Sequence, residues 1–153
     1  MRLKPILPVQ LLLVAASFLL TFSANAAAGK DLKFEAYLIW ATTADNSPNP
    51  EHKPVEGALR KKLDDLPLKW KNYFLVKKES ASVRPKETRE ITLSDKCKVS
   101  IKDIDGKSVE VALIGKGESV LRRAQKLPKG DMLVLGGNAP NETGWLVVLK
   151  RVE

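Results

Sequence analysis

Two rhythms run along the chain. From Lys30 to Thr42 the pattern alternates: Phe34, Ala36, Leu38 and Trp40 fall on one side, Lys33, Glu35, Tyr37 and Ile39 on the other. Period two marks a β-strand with one covered face, so this segment is predicted to be an antiparallel first strand with Phe34 and Trp40 turned inward. The same period returns at Lys69 to Val76. There Trp70, Asn72, Phe74 and Val76 share one side, and Lys69, Lys71, Tyr73 and Leu75 the other. Three aromatic residues lie within five positions, in a chain that has nine in all. The core is expected to organise around this stretch.

Between these strands the spacing changes. Val55, Leu59 and Leu63 recur every four residues behind Pro54, which suits a first helical turn, so Pro54 to Asp65 is predicted as the one helix. Glu56 and Arg60 make a favourable i,i+4 pair worth roughly 0.2–0.5 kcal/mol. Against it, Gly57 costs about 1 kcal/mol relative to alanine. Asp64 and Asp65 also oppose the dipole at the C-terminal end. Such a helix forms only if it is packed, and Pro67 stops it. Ala44 to Pro50 is loop chemistry throughout, with His52 in its tail.

Downstream the chain reads as strands and turns. Lys77 to Lys86 is polar and contains Pro85, which fits an edge or a long connection. Arg89 to Leu93 is a short strand. Asp105-Gly106 lies between Cys97–Ile101 and Val109–Leu113. A two-residue turn there would set Ile101 against Glu110 and Val109 against Lys102. A three-residue loop, Ile104-Asp105-Gly106, pairs Ile101 with Val109, Val99 with Val111 and Cys97 with Leu113. It leaves Lys98, Ser100, Lys102 and Glu110 on the outer face. One step of register exchanges the faces, so the second solution is predicted, with Gly106 left-handed. Gly115-Lys116-Gly117 turns the chain into a strand over Ser119 to Lys126, and Pro128 to Asp131 turns it again. Met132–Leu135 and Trp145–Leu149 are apolar on both faces and are expected mid-sheet, joined by an exposed loop from Gly136 to Gly144. The expected fold is mostly β: an antiparallel sandwich or partly open barrel of seven or eight strands with one short helix.

The first residues stand apart from this pattern. Arg2 and Lys4 precede an apolar run from Leu11 to Leu20, broken only by Ser17, and Ala24-Asn25-Ala26 supplies the small residues of a cleavage site. Residues 1–26 are therefore expected to be a signal peptide, and 27–153 a single β-rich domain that is periplasmic or secreted. The apolar run is short of the roughly 20 residues of a membrane span, so none is expected after cleavage. Removing Arg2 and Lys4 takes the formal net charge from +8 to +6. A basic exported chain can lean on anionic lipid, acidic polysaccharide or nucleic acid, although many basic exported proteins have no such partner. Cys97 is the only cysteine, so no internal disulfide can form. Its alternation with Val99 and Ile101 predicts a buried thiol.

Candidate chemistry is sparse. One histidine in a Pro-rich loop is a poor general base, and one His and one Cys in distant segments do not make a metal site. Asp103, Asp105 and Gly106 resemble the start of a calcium loop, but the later ligands are missing and a hairpin explains them better. Gly115-Lys116-Gly117 lacks the third glycine of a dinucleotide loop, where Val120 stands. No catalytic residue, metal ligand or cofactor is expected. The best functional signal is basic: Lys96, Lys98 and Lys102 along one strand, with Arg122 and Arg123 near them, form a candidate anion-binding face. The competing reading is that lysines keep a sheet face soluble and unpaired. Aromatic residues do not interleave with the stripe, which disfavours nucleic acid. Asn141-Glu142-Thr143 is a sequon, relevant only to a eukaryotic source.

Lys69-Trp70-Lys71-Asn72-Tyr73-Phe74, Gly115-Lys116-Gly117, Leu135-Gly136-Gly137 and Trp145 together resemble a group of short, exported bacterial proteins of unknown function. The resemblance spans most of the mature chain. It implies an exported β-rich domain and transfers no activity. The functional expectation is a non-enzymatic binding or structural module of the cell envelope, contacting an anionic polymer, a lipid headgroup or a protein partner. The alternative is a small enzyme built on carboxylates and lysines. An enzyme should gather ionisable groups with shifted pKa in a deep pocket.

Overall fold

The computed structural model describes residues 29–153, and the expected signal peptide lies outside them. Among the described residues the chain forms β1 (Leu32–Thr42), β2 (Lys53–Pro54), α1 (Gly57–Asp64), β3 (Asn72–Val83), β4 (Thr88–Thr92), β5 (Cys97–Asp103), β6 (Ser108–Gly115), β7 (Glu118–Lys126), β8 (Met132–Ala139) and β9 (Thr143–Arg151). The fold is mostly β, as the alternation requires. The strands make two antiparallel sheets that face each other without closing into a barrel: β2-β3-β1-β9-β8 and β4-β5-β6-β7. Nine strands replace the expected seven or eight, because the two-residue β2 pairs Lys53 and Pro54 with Leu75 and Phe74.

The first sheet is covered on both faces. Its inner face carries Phe34, Ala36, Leu38, Leu133, Leu135, Val147 and Leu149 against Ile91, Val99, Ile101, Val109 and Val111 of the second sheet. Its outer face carries Ile39, Ala41, Tyr73, Leu146 and Val148, closed over by Val55, Leu63 and Trp70. This third layer explains why Ile39 is fully buried although it was expected to face away from the core.

Several expectations need correction. The helix begins at Gly57, whose φ of +64° is a left-handed value that suits glycine, so Gly57 opens the helix and does not weaken its interior. Pro54 belongs to β2. Arg60 pairs with Asp64 at 2.9 Å, not with Glu56, and so neutralises an acid that would oppose the dipole. Trp70 is buried but precedes its strand, which starts at Asn72, and Tyr73 and Phe74 are buried on opposite faces. Lys77 to Val83 continues that strand and, beyond the reach of β2, forms a sheet edge. The β5–β6 hairpin keeps the expected faces and Gly106 is left-handed, but the register lies two residues away: Val99 pairs with Leu113 and Ile101 with Val111. The cause is Asp103, which takes the inner-face position opposite Val109 and lengthens the loop to four residues. β8 is an edge strand, not a central one. It looks central in sequence because the third layer covers its outer face. It also runs on through Gly136 and Gly137 to Ala139, so the expected loop shrinks to a turn with Asn141 and Glu142 left-handed.

Candidate functional site

The predicted basic face comes apart once the strands are paired. Lys98, Lys102 and Arg122 stand on the outer face of the second sheet, beside Ser100, Glu110 and Ala112. Arg123 pairs with Val111 and therefore points to the opposite face from Arg122. Lys96 lies in the turn before β5. Two of the outer-face cations are already matched: Lys98 with Glu90 at 3.0 Å, and Arg122 with Glu110 at 2.6 Å. What was read as a positive stripe is a mixed-sign surface on which Lys102 has no ion-pair partner among the described residues.

The inner faces hold a different site. Trp145, on the inner face of β9, is 45% exposed and faces the ends of β5, β6 and β7 across an open gap. A cleft of about 630 Å³ opens there between the sheets. Leu38, Val76, Trp145 and Val147 form one wall; Cys97, Leu113, Gly115 and Val120 form the other. Two backbone irregularities shape it. Leu38 pairs with Lys77 and Ile39 with Leu75, so Val76 is an extra residue in β3. Leu113 pairs with Leu121 and Ile114 with Ser119, so Val120 is an extra residue in β7. Bulges re-aim side chains, and both valines line this cleft. The volume falls within the roughly 300–1,000 Å³ of ordinary ligand pockets.

The mouth is polar. Ser94, Asp95, Lys96 and Lys116 ring it, and the Lys116 N–H donates to the Lys96 carbonyl at 3.1 Å, which holds the two turns together. Lys116 and Gly117, both left-handed, make the tight two-residue turn expected from Gly115-Lys116-Gly117. Cys97 is half-buried against the cleft, not fully enclosed as expected, and burial raises its thiol pKa. A raised pKa leaves less nucleophilic thiolate near neutral pH. Trp145 stacks on Trp40 with ring centroids 6.0 Å apart, and His52 meets Trp40 edge-on at 6.3 Å. The His52 ring nitrogen Nδ1 lies 3.0 Å from the Ser47 hydroxyl, so the histidine props this aromatic wall from behind.

Ionisable groups with shifted pKa gather elsewhere, on the outer face of the first sheet. The Tyr37 hydroxyl donates a short hydrogen bond to Glu35, and Lys78 lies 3.2 Å from the same carboxylate and 5.5 Å from the Tyr37 ring centre. The bond from Tyr37, assisted by Lys78, lowers the Glu35 pKa; burial, then Glu35, pushes the Tyr37 pKa well above its usual value. Catalytic acids and bases work best with pKa values near the operating pH. Here the two values move away from neutrality in opposite directions, which suits a fixed structural pair. Asp103 and Asp105 are likewise spent on the backbone. Asp103 accepts from the N–H groups of Gly106 at 2.7 Å and Lys86 at 3.2 Å, and Asp105 from those of Lys107 and Ser108.

Sequence reasoning put Lys96 on the outer strand face with Lys98 and Lys102, whereas it lies in the turn before β5 beside the cleft, and the cleft itself was missed. Its walls come from six segments and from two bulges, and strand periodicity carries no signal for an extra residue. Comparison with family models, with curated proteins and with solved structures finds no match.

Proposed function

We propose that this protein is a non-enzymatic binding module that takes the apolar part of an amphipathic ligand into the cleft between its sheets. The observation that carries the reading is the cleft itself, apolar on both walls and bordered by Lys96 and Lys116 at its mouth. Burial of apolar ligand surface supplies the affinity, at about 25 cal/mol per Å² removed from water. The two lysines, offset by Asp95, favour an anionic head over a cationic one. This reading keeps the lipid contact expected from the sequence and moves it from the outer sheet face to the interior. The leader read at residues 1–26 supports an exported protein acting in the envelope or outside the cell. Such a protein has a mature N-terminus at Ala27, and intact mass of the exported protein checks this: retention of Met1 would contradict it.

The binding test uses tryptophan emission. Dodecanoate should shift the emission to shorter wavelength and saturate, because Trp145 loses water on occupancy. Dodecyltrimethylammonium should bind more weakly, and dodecyl maltoside should separate the effect of the tail from that of the head. Gly115→Leu should block binding without unfolding, since a Cβ there meets only Val120, at 3.5 Å. No saturable response to any of the three amphiphiles would sink the reading.

A further inference from the structure

The second sheet ends on an unusually bare strand. Among the described residues β7 pairs with β6 on one side and with no strand on the other. Eight of its nine residues are exposed, Gln125 alone being half-buried. Among the described residues the other edges are shorter or better covered. β4 has five residues, and β8 has eight, of which Met132 to Leu135 are buried or half-buried. The edge of β3 continues only from where β2 stops pairing it. A long unpaired edge is a template for a further strand, with main-chain hydrogen bonds giving affinity and alternate side chains giving selectivity. Along β7, Val120 is 62% and Leu121 39% exposed, so an arriving strand also finds apolar surface to cover.

Charge decides what that strand is. Arg122, Arg123 and Lys126 stand against the single acid Glu118. Arg122 is held by Glu110, but Arg123 and Lys126 have no ion-pair partner among the described residues. Two copies of β7 meeting edge to edge would bring cation towards cation, which opposes self-pairing. We propose that the β7 edge receives, by strand addition, an extended segment of a partner protein that is apolar where it meets Val120 and Leu121 and acidic where it meets Arg123 and Lys126. The same cations that hold copies of this chain apart then select the partner.

The probe is a synthetic peptide with one half valine and threonine and the other half glutamate and threonine, compared with the same peptide carrying lysine in place of glutamate. Residue-resolved amide exchange on the full exported chain reports where each binds. The acidic peptide should slow exchange along β7 by about tenfold or more, and the lysine peptide should not. Reversing charge with Arg123→Glu and Lys126→Glu should exchange the preference, while Arg123→Gln with Lys126→Gln should abolish it. Both pairs of changes sit at exposed positions, and unchanged exchange in β1 and β9 certifies the fold. Protection by the acidic peptide should persist in Gly115→Leu, which blocks the cleft but not the edge. Equal protection by both peptides, no protection of β7, or β7 already protected in a self-associated species without peptide would each overturn the proposal.

Discussion

Single residues decide more here than their exposure in the sequence would indicate. Asp103 is 2% exposed, and both its carboxylate oxygens accept backbone N–H groups, one from its own hairpin and one from the turn between β3 and β4. Replacing it with alanine leaves two donors without their acceptor. Such a bond to a charged group contributes roughly 1.5–3 kcal/mol, so Asp103→Ala should lower stability by about 3 kcal/mol, read as a fall in the urea midpoint. Alternation alone could not find this. An acid at the end of an apolar run reads as the start of a loop, and only its two backbone partners show that it belongs inside. The Glu35–Tyr37 pair gives a second test. Because the folded Glu35 pKa lies below its ordinary value of 4.5, the unfolded chain takes up the proton first as pH falls. Its stabilising contribution is therefore complete above about pH 4.5 and is lost as pH drops through the lowered folded value. For Tyr37 the sign is opposite: its raised pKa contributes below the ordinary value of 10 and is lost as pH rises beyond it. Tyr37→Phe should cost about 1 kcal/mol at neutral pH, discounted for partial exposure, and should flatten the acid limb of the stability profile. An unchanged acid limb would show that Tyr37 does not set the Glu35 titration.

At the scale of elements, most strands were legible because each has one face covered, and a covered face writes period two into the sequence. Errors arose where a third layer covers the second face as well. β8 and the Tyr73-Phe74 pair lose their alternation for that reason, and β8 was misplaced to the sheet centre. The β5–β6 hairpin shows the complementary case. Parity of register follows from hydrophobicity, but the choice between registers two residues apart does not, since both bury the same face. The stretch around Trp70 does organise the fold, although by a different contact than strand pairing. Trp70 reaches across to β9 and the turn before it: its indole N–H donates to the Glu142 carbonyl in that turn at 3.0 Å, and its ring lies where a side chain on Gly144 would otherwise be. Two substitutions test this lock from opposite sides. Trp70→Ala empties it and should cost roughly 3–5 kcal/mol. Gly144→Ala keeps the ring but drives a methyl into it, and overpacking of this kind typically costs about 1–3 kcal/mol. Because the residues touch, the double variant should lose less than the sum of the two. Strict additivity in urea denaturation would mean that Trp70 is held by something other than β9.

For the whole molecule, the question is whether the open end of the sandwich is an unfinished core or a site. Both readings begin from the same fact, that Trp145 is exposed on an inner face beside a cleft between the sheets. They differ in what filling the space does. Leu113 lines the cleft and is only half-buried, so a larger side chain there can grow into open volume and not into packed atoms. Leu113→Phe should then add apolar contact and raise stability by about 0.5–2 kcal/mol, as cavity-filling changes commonly do. If the cleft is kept open for a ligand, the same variant should weaken dodecanoate binding while the melting temperature rises. Opposed movement of the two quantities is the signature of volume held back from the core for function. Reduced stability with unchanged binding would mean that Leu113 already packs as core and that the ligand, if any, sits elsewhere. Higher stability with unchanged binding would make the cleft a packing defect, and would leave the β7 edge as the surface through which the protein meets its partner.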